Sequence, residues 1–138
     1  MKSIFLFLEN IQYLDYFQQF NIPKDKAIIV GSGHLVALGY LKSNNDLDIV
    51  VPKYILEKIK NHSNLREHKP NIYITKDGKF EIGSEFLTLG ETFESLDKDA
   101  VTINGYKYMS FPKLLKFYQK LNRPKDQPKI KLLKGLLT

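Results

Sequence analysis

A mixed α/β (α+β) domain is the fold this sequence predicts, and three observations predict it. Segments with apolar residues at three- and four-residue steps alternate with short β-branched runs. Asp77-Gly78 and Asn104-Gly105 each sit between two alternating segments, which is the pattern of tight hairpins. The 138 residues, 43% hydrophobic and 26% charged, suffice for one core and fall short of two domains of ordinary size.

The elements follow in order. Phe5, Leu8, Ile11, Tyr13, Leu14, Phe17 and Phe20 recur at helical steps, so residues 2–20 read as an amphipathic helix that Pro23 ends. Residues 27–30 form a short apolar run, a buried strand, broken by Gly31-Ser32-Gly33. One or two helical turns follow over 34–40. Residues 47–51 are a strand that Pro52 closes, and 54–61 a short helix. The segments 71–75 and 79–82 pair about Asp77-Gly78, and 101–103 and 106–109 about Asn104-Gly105. Ser110 is a fair N-cap, with Pro112 in the first turn, for a helix over 111–121. A last helix runs to about residue 137. The expectation is one domain over 1–138: an N-terminal helical segment (1–22), a sheet core (27–109) and C-terminal basic helices (110–138).

Composition narrows the chemistry. There is no cysteine, hence no disulfide and no thiolate metal site, and three histidines are few for a His-only zinc site. The longest apolar runs, 4–8 and 27–30, fall far below the roughly 20 residues of a membrane span. The apolar stretch after Lys2 is short for a signal-peptide core, so a cytoplasmic protein with no membrane partner is expected. The net charge of +6 is uneven: residues 1–106 hold 12 Lys+Arg against 14 Asp+Glu, whereas 107–138 hold 9 against Asp126 alone. A basic terminal quarter suits a polyanion, or simply coats the wet face of two helices.

The chemistry concentrates in two segments. Asp46 and Asp48 stand two apart at the start of an apolar strand and so share a face. Two adjacent carboxylates repel, and burying them unpaired is costly. A divalent cation removes that cost, and oxygen ligands suit Mg²⁺ or Mn²⁺, which bring substrate phosphates with them. The alternative is a solvated Asp-x-Asp turn. Gly31-Ser32-Gly33, between strand and helix, lets backbone approach a ligand and offers helix-start N–H groups to phosphate oxygens. It is no dinucleotide fingerprint, since Val36 stands where the third glycine belongs, and no Gly-Lys-Ser/Thr follows. A plain strand–helix turn is the alternative.

Together, Gly31-Ser32, thirteen intervening residues and Asp46-Leu47-Asp48-Ile49 resemble the DNA polymerase-β-like nucleotidyltransferase superfamily. Arg123-Pro124-Lys125-Asp126, followed by Ile130, Leu132 and Leu133, is similar to the segment that closes many small bacterial members, among them antitoxin-like, toxin-like, antibiotic-modifying and uncharacterised ones. The resemblance covers roughly residues 27–137. It implies a nucleotidyltransferase-type mixed β-sheet flanked by helices. It also implies a magnesium-dependent transferase that moves a nucleoside monophosphate from ATP or another NTP to a hydroxyl.

The resemblance further implies that Asp46, Asp48 and a third carboxylate on a later strand are catalytic and bind the metal. Glu81 matches best in position, with Glu85 as competitor; Glu81 on the wet side of a hairpin is the alternative. Gly31, Ser32, Gly33, Arg123 and Lys125 would bind the nucleotide, unless Asp126 caps the last helix and the basic residues are merely solvated. Tyr118 departs from the pattern, which often has lysine there; Lys116 and Lys120 lie close. His34 would contact substrate or fill the mouth of a cleft. The acceptor would be a small molecule, a protein or an RNA 3′ end. A degenerate nucleotide-binding or antitoxin-like partner module is the second expectation. The third is a nucleic-acid binder that stacks bases on Tyr106, Tyr108 and Tyr118.

Overall fold

The computed structural model describes residues 10–138. Three fully apolar residues make the buried strand β1 (Ile28–Val30), and its neighbours build a mixed seven-stranded sheet around it. The order is β3-β4-β5-β2-β1-β9-β8. The strands are β2 (Leu47–Val50), β3 (Leu65–Lys69), β4 (Ile72–Thr75), β5 (Phe80–Gly83), β8 (Val101–Ile103) and β9 (Tyr106–Tyr108). β1 pairs antiparallel with β2 and parallel with β9, while β2 pairs parallel with β5. The hairpins β4–β5 and β8–β9 turn at the two Gly pairs read from the sequence. A separate two-stranded hairpin comprises β6 (Glu85–Phe86) and β7 (Glu91–Thr92).

Alternation along the central strands supplies two cores, one per face. Ile29, Ile49 and Ile82 face one way, packing with Phe80, Phe17 and Phe20 and with Ile55 and Leu56 of α3 (Lys53–Ile59). Ile28, Val30 and Val50 face the other. There they meet α4 (Phe93–Asp97), α5 (Phe111–Leu121) and α6 (Gln127–Leu136) through Leu96, Leu114, Tyr118, Ile130 and Leu133. The chain is therefore one mixed α+β domain with helices on both faces of its sheet. Ser110 caps α5 by accepting from the Lys113 N–H, and Asn122 ends it in the left-handed region at φ 48°. Among the described residues no helix is long and apolar enough to cross a membrane.

The long N-terminal helix is the main correction. Residues 2–9 lie outside the described part. Of residues 10–20, only the four of α1 (Tyr16–Gln19) are α-helical. The Asn44 side chain explains why. Its Oδ1 accepts from the Gln12 N–H at 2.7 Å and its Nδ2 donates to the Gln12 carbonyl at 3.1 Å, which draws that backbone out of the helical ladder. Tyr13 then turns at φ 71°. The apolar spacing survives because Ile11, Phe17 and Phe20 still enter the core. β3, the β6–β7 hairpin and α4 were not legible; β3 is five residues, four of them exposed, and carries no apolar alternation.

Phe80 is fully buried, with its ring against Tyr16, Phe17 and Phe20. Phe80→Ala is expected to cost about 3–5 kcal/mol, read as a lower urea midpoint at unchanged slope.

Candidate active site

The β2–β5 register sets Asp48 beside Glu81, and the β1–β2 register sets Asp48 beside Val30. Residues paired across strands present their side chains to the same face. Here that is the face bearing α4, α5 and α6, beyond the end of their cover. Asp48, Glu81, Lys69, Glu85, Gly83 and Phe117 line a cavity of about 160 Å³ there. The β6–β7 hairpin forms one wall, with Phe86 packed on Phe117 at 4.9 Å between ring centroids.

Asp48 has no hydrogen-bond or ion-pair partner among the described side chains. Burial, then the charges of Glu81 and Asp46, push its carboxyl up to about 8. Burial also raises Glu81, against the opposing pull of His68 and Lys69. His68 Nε2 stands 4.0 Å from Glu81 Oε1. Asp46 is exposed on the turn before β2, and Asn44 Nδ2 donates to its carbonyl at 2.9 Å. Of the three acids predicted from the sequence, Asp48 and Glu81 line the cavity and Asp46 does not, although its charge bears on both. Glu85 also reaches the cavity, so position alone does not set the two glutamates apart; the strand register with Asp48 does.

Among the described residues no three acidic or imidazole groups already converge as a metal cage. Two adjacent carboxylates that oppose one another's ionisation would, once ionised, be oxygen donors of the kind a hard divalent cation takes.

The glycine bend lies one strand away, since Val30 beside Asp48 leads directly into it. Gly31 adopts φ +77°, a conformation costly for other residues. Its N–H points to Met109 Sδ at 3.2 Å. Gly33 has a packing role: a Cβ there would stand 2.6 Å from Ile29 Cγ2. It starts α2 (Gly33–Ala37), which is buried throughout. Ser32 makes no capping bond, so its hydroxyl remains available beside the bend.

Other expectations are redirected. Arg123 grips Asp126 with two hydrogen bonds, Nε to Oδ2 at 2.6 Å and Nη2 to Oδ1 at 2.9 Å. Asp126 is fully buried. Burial would raise its carboxyl, but Arg123 outweighs that and holds it below the usual range. Asp126 makes no side-chain capping bond to α6. Lys125 is exposed, and neither it nor Arg123 lines the cavity. His34 is buried, with Nδ1 3.0 Å from the Met109 carbonyl and its ring stacked on Phe111. It belongs to the core rather than to an open cleft.

Tyr108 and Tyr118 are buried as well, and Tyr106 packs edge-on against Phe17 under Lys24, so the three offer no stacking platform. The residues sequence reasoning missed are Lys69, which lines the cavity, and His68, which stands 4.0 Å from Glu81. They belong to the strand that carries no apolar alternation, and no local pattern announces them.

Asp48 supplies a test. Its folded value, about 8, lies above its ordinary 3.8. Between those values the folded chain binds more protons than the unfolded one, so stability falls as pH rises through that window and is lowest above about pH 8. In chelator, Asp48→Asn is expected to flatten this slope and to raise stability at the alkaline end by ~2 kcal/mol or more. Mn²⁺ should raise the Tm of the unaltered chain and leave the variant unmoved. A variant less stable than the parent at alkaline pH in chelator refutes the unpaired-carboxylate account.

No family model and no curated protein matches the chain. Among solved structures it is similar to the crystal structure of JHP933 from Helicobacter pylori, with 16% identity and a TM-score of 0.44, over 73% of this chain and 53% of that one. The chain thus spans about half the length of that protein.

Proposed function

We propose that the chain is a metal-dependent nucleotidyltransferase that moves a nucleoside monophosphate from an NTP to an acceptor hydroxyl. The observation that carries this reading is the in-register Asp48–Glu81 pair, part-buried without a cationic partner in hydrogen-bond contact, one strand from the Gly31-Ser32 bend. The resemblance of those segments to polymerase-β-like transferases adds to it.

In this reading Asp46, Asp48 and Glu81 hold Mg²⁺ or Mn²⁺, which when bound supplies charge neutralisation for the phosphoryl group. Ser32 and the backbone of the bend orient the phosphates. The acceptor oxygen bonds to the α-phosphorus, the bond from that phosphorus to the bridging oxygen breaks, and pyrophosphate leaves with the electron pair. Glu81 helps to hold the metal or takes the hydroxyl proton. The cavity admits the reacting groups only; at about 160 Å³ it does not enclose a whole nucleotide.

One observation favours a second reading, a nucleotide-binding module without turnover. Arg123, expected on the triphosphate, is already committed to Asp126. Calorimetry with each NTP, with and without Mg²⁺, separates the two: binding without pyrophosphate release favours the module.

The transferase reading predicts that Asp48→Asn and Glu81→Gln each lower Mn²⁺-dependent transfer of label from α-³²P-NTP by about a hundredfold or more, with circular dichroism unchanged. Full activity in both variants would overturn it.

A further inference from the structure

The strand registers align Arg66, Ile74, Glu81, Asp48 and Val30 in one row across the sheet. Members of such a row present their side chains to one face. His68, two residues after Arg66, keeps to that face and reaches to 4.0 Å from Glu81. Regular alternation would send Lys69 to the opposite face. It does not go there, because the β3–β4 register shifts between Glu67 and Lys69 and pairs Lys69 with Ile72. Ile72 in turn pairs with Gly83, and all three line the carboxylate cavity. The bulge thus returns Lys69 to the face that holds Arg66 and His68. Glu67, the one acid of β3, pairs with Tyr73 outside this row.

Arg66, His68 and Lys69 are exposed, and among the described residues neither Arg66 nor Lys69 forms an ion pair. Charged side chains on an edge strand also discourage strand-to-strand aggregation. That function is indifferent to which face the charges take, and it does not account for a bulge that gathers Arg66, Lys69 and the His68 imidazole beside part-buried acids. The stripe lies across the acids from the glycine bend. With the nucleotide's phosphates at the bend, the stripe is on the far side of Glu81, where an acceptor approaches. Arg66 stands two strands from Glu81, about 10 Å along the row, so the stripe suits a ligand with several phosphates rather than one.

We propose that Arg66, His68 and Lys69 bind the backbone phosphates of a single-stranded nucleic acid whose terminal hydroxyl is presented to Glu81. The binding surface stands on its own geometry; its role as the acceptor side rests on the transferase reading above.

The test uses the full chain and a short fluorescein-labelled single-stranded RNA with a free 3′ hydroxyl, followed by anisotropy. Arg66→Met with Lys69→Met removes two exposed charges from the stripe. Lys116→Met with Lys120→Met removes two from α5 as a control. The stripe variant is expected to bind the RNA about tenfold or more weakly. The slope of log affinity against log salt should flatten by about 1.4, two phosphates at about 0.7 each. The control should bind the RNA like the parent, and calorimetric NTP binding should be unchanged in the control and in Arg66→Met alone.

Equal weakening in the control, or none in the stripe variant, overturns the proposal and leaves the transferase reading standing if NTP still binds. Loss of NTP binding in Arg66→Met alone overturns it too, by assigning the stripe to the nucleotide's own phosphates. AMP competing as well as unlabelled RNA overturns the polymeric acceptor. RNA binding that depends on the stripe in a chain that binds no NTP supports the surface and removes the transferase reading.

Discussion

Placing two carboxylates side by side in the middle of a sheet is the constraint around which this molecule is arranged. Asp48 and Glu81 lie in register on parallel neighbours, near enough that the charge of one opposes ionisation of the other. Among the described residues neither has a buried cation to offset it, and the nearest basic group, His68, stands at the edge of contact. Such a pair survives only where the rest of the sheet is secure. Both acids sit on strands whose flanking residues, Leu47, Ile49, Phe80 and Ile82, are almost fully buried. Those residues hold the backbone while the acids contribute an unfavourable local interaction. A structure that concentrates strain at one spot and supports it everywhere else has the economy of a functional site.

The wall of the cavity is fixed with similar thoroughness. Lys113 Nζ contacts Glu91 and Asp99, each at 3.1 Å, and donates to the Ser95 carbonyl at 2.7 Å. One side chain of α5 therefore anchors the β6–β7 hairpin, α4 and the turn after it. Phe86 from that hairpin meets Phe117 from the same helix. The hairpin is short and would be marginal alone; these contacts give the cavity a defined rim.

Much of this was legible in the sequence, and the reasons for success and failure are physical. Asp48 stood out because it interrupts an apolar run two residues after Asp46, whereas Glu81 was picked out through the resemblance to a known family. Their register could not be read, since it depends on pairing between distant strands. The glycine bend was legible as a bend, but Gly33 owes its identity to the nearby Ile29 side chain, a tertiary contact. Arg123 was read as a nucleotide contact through the resemblance, and nothing in the sequence shows that Asp126, three residues on, holds it. The first helix failed because Asn44, far along the chain, competes for its backbone. Lys69 was hidden by the bulge, since counting by twos assigns it to the wrong face.

That irregularity in β3 also bears on how the molecule diverges. Losing Glu67 there would restore strict alternation with Lys69 still across from Ile72 and would swing His68 to the opposite side, exchanging its neighbourhood without touching Asp48, Glu81 or the interior. Most point substitutions alter a surface one group at a time. A one-codon deletion in this strand would instead revise what the surface prefers in a single step, so lineages that share the acidic pair can part company in what they recognise while their scaffold stays the same.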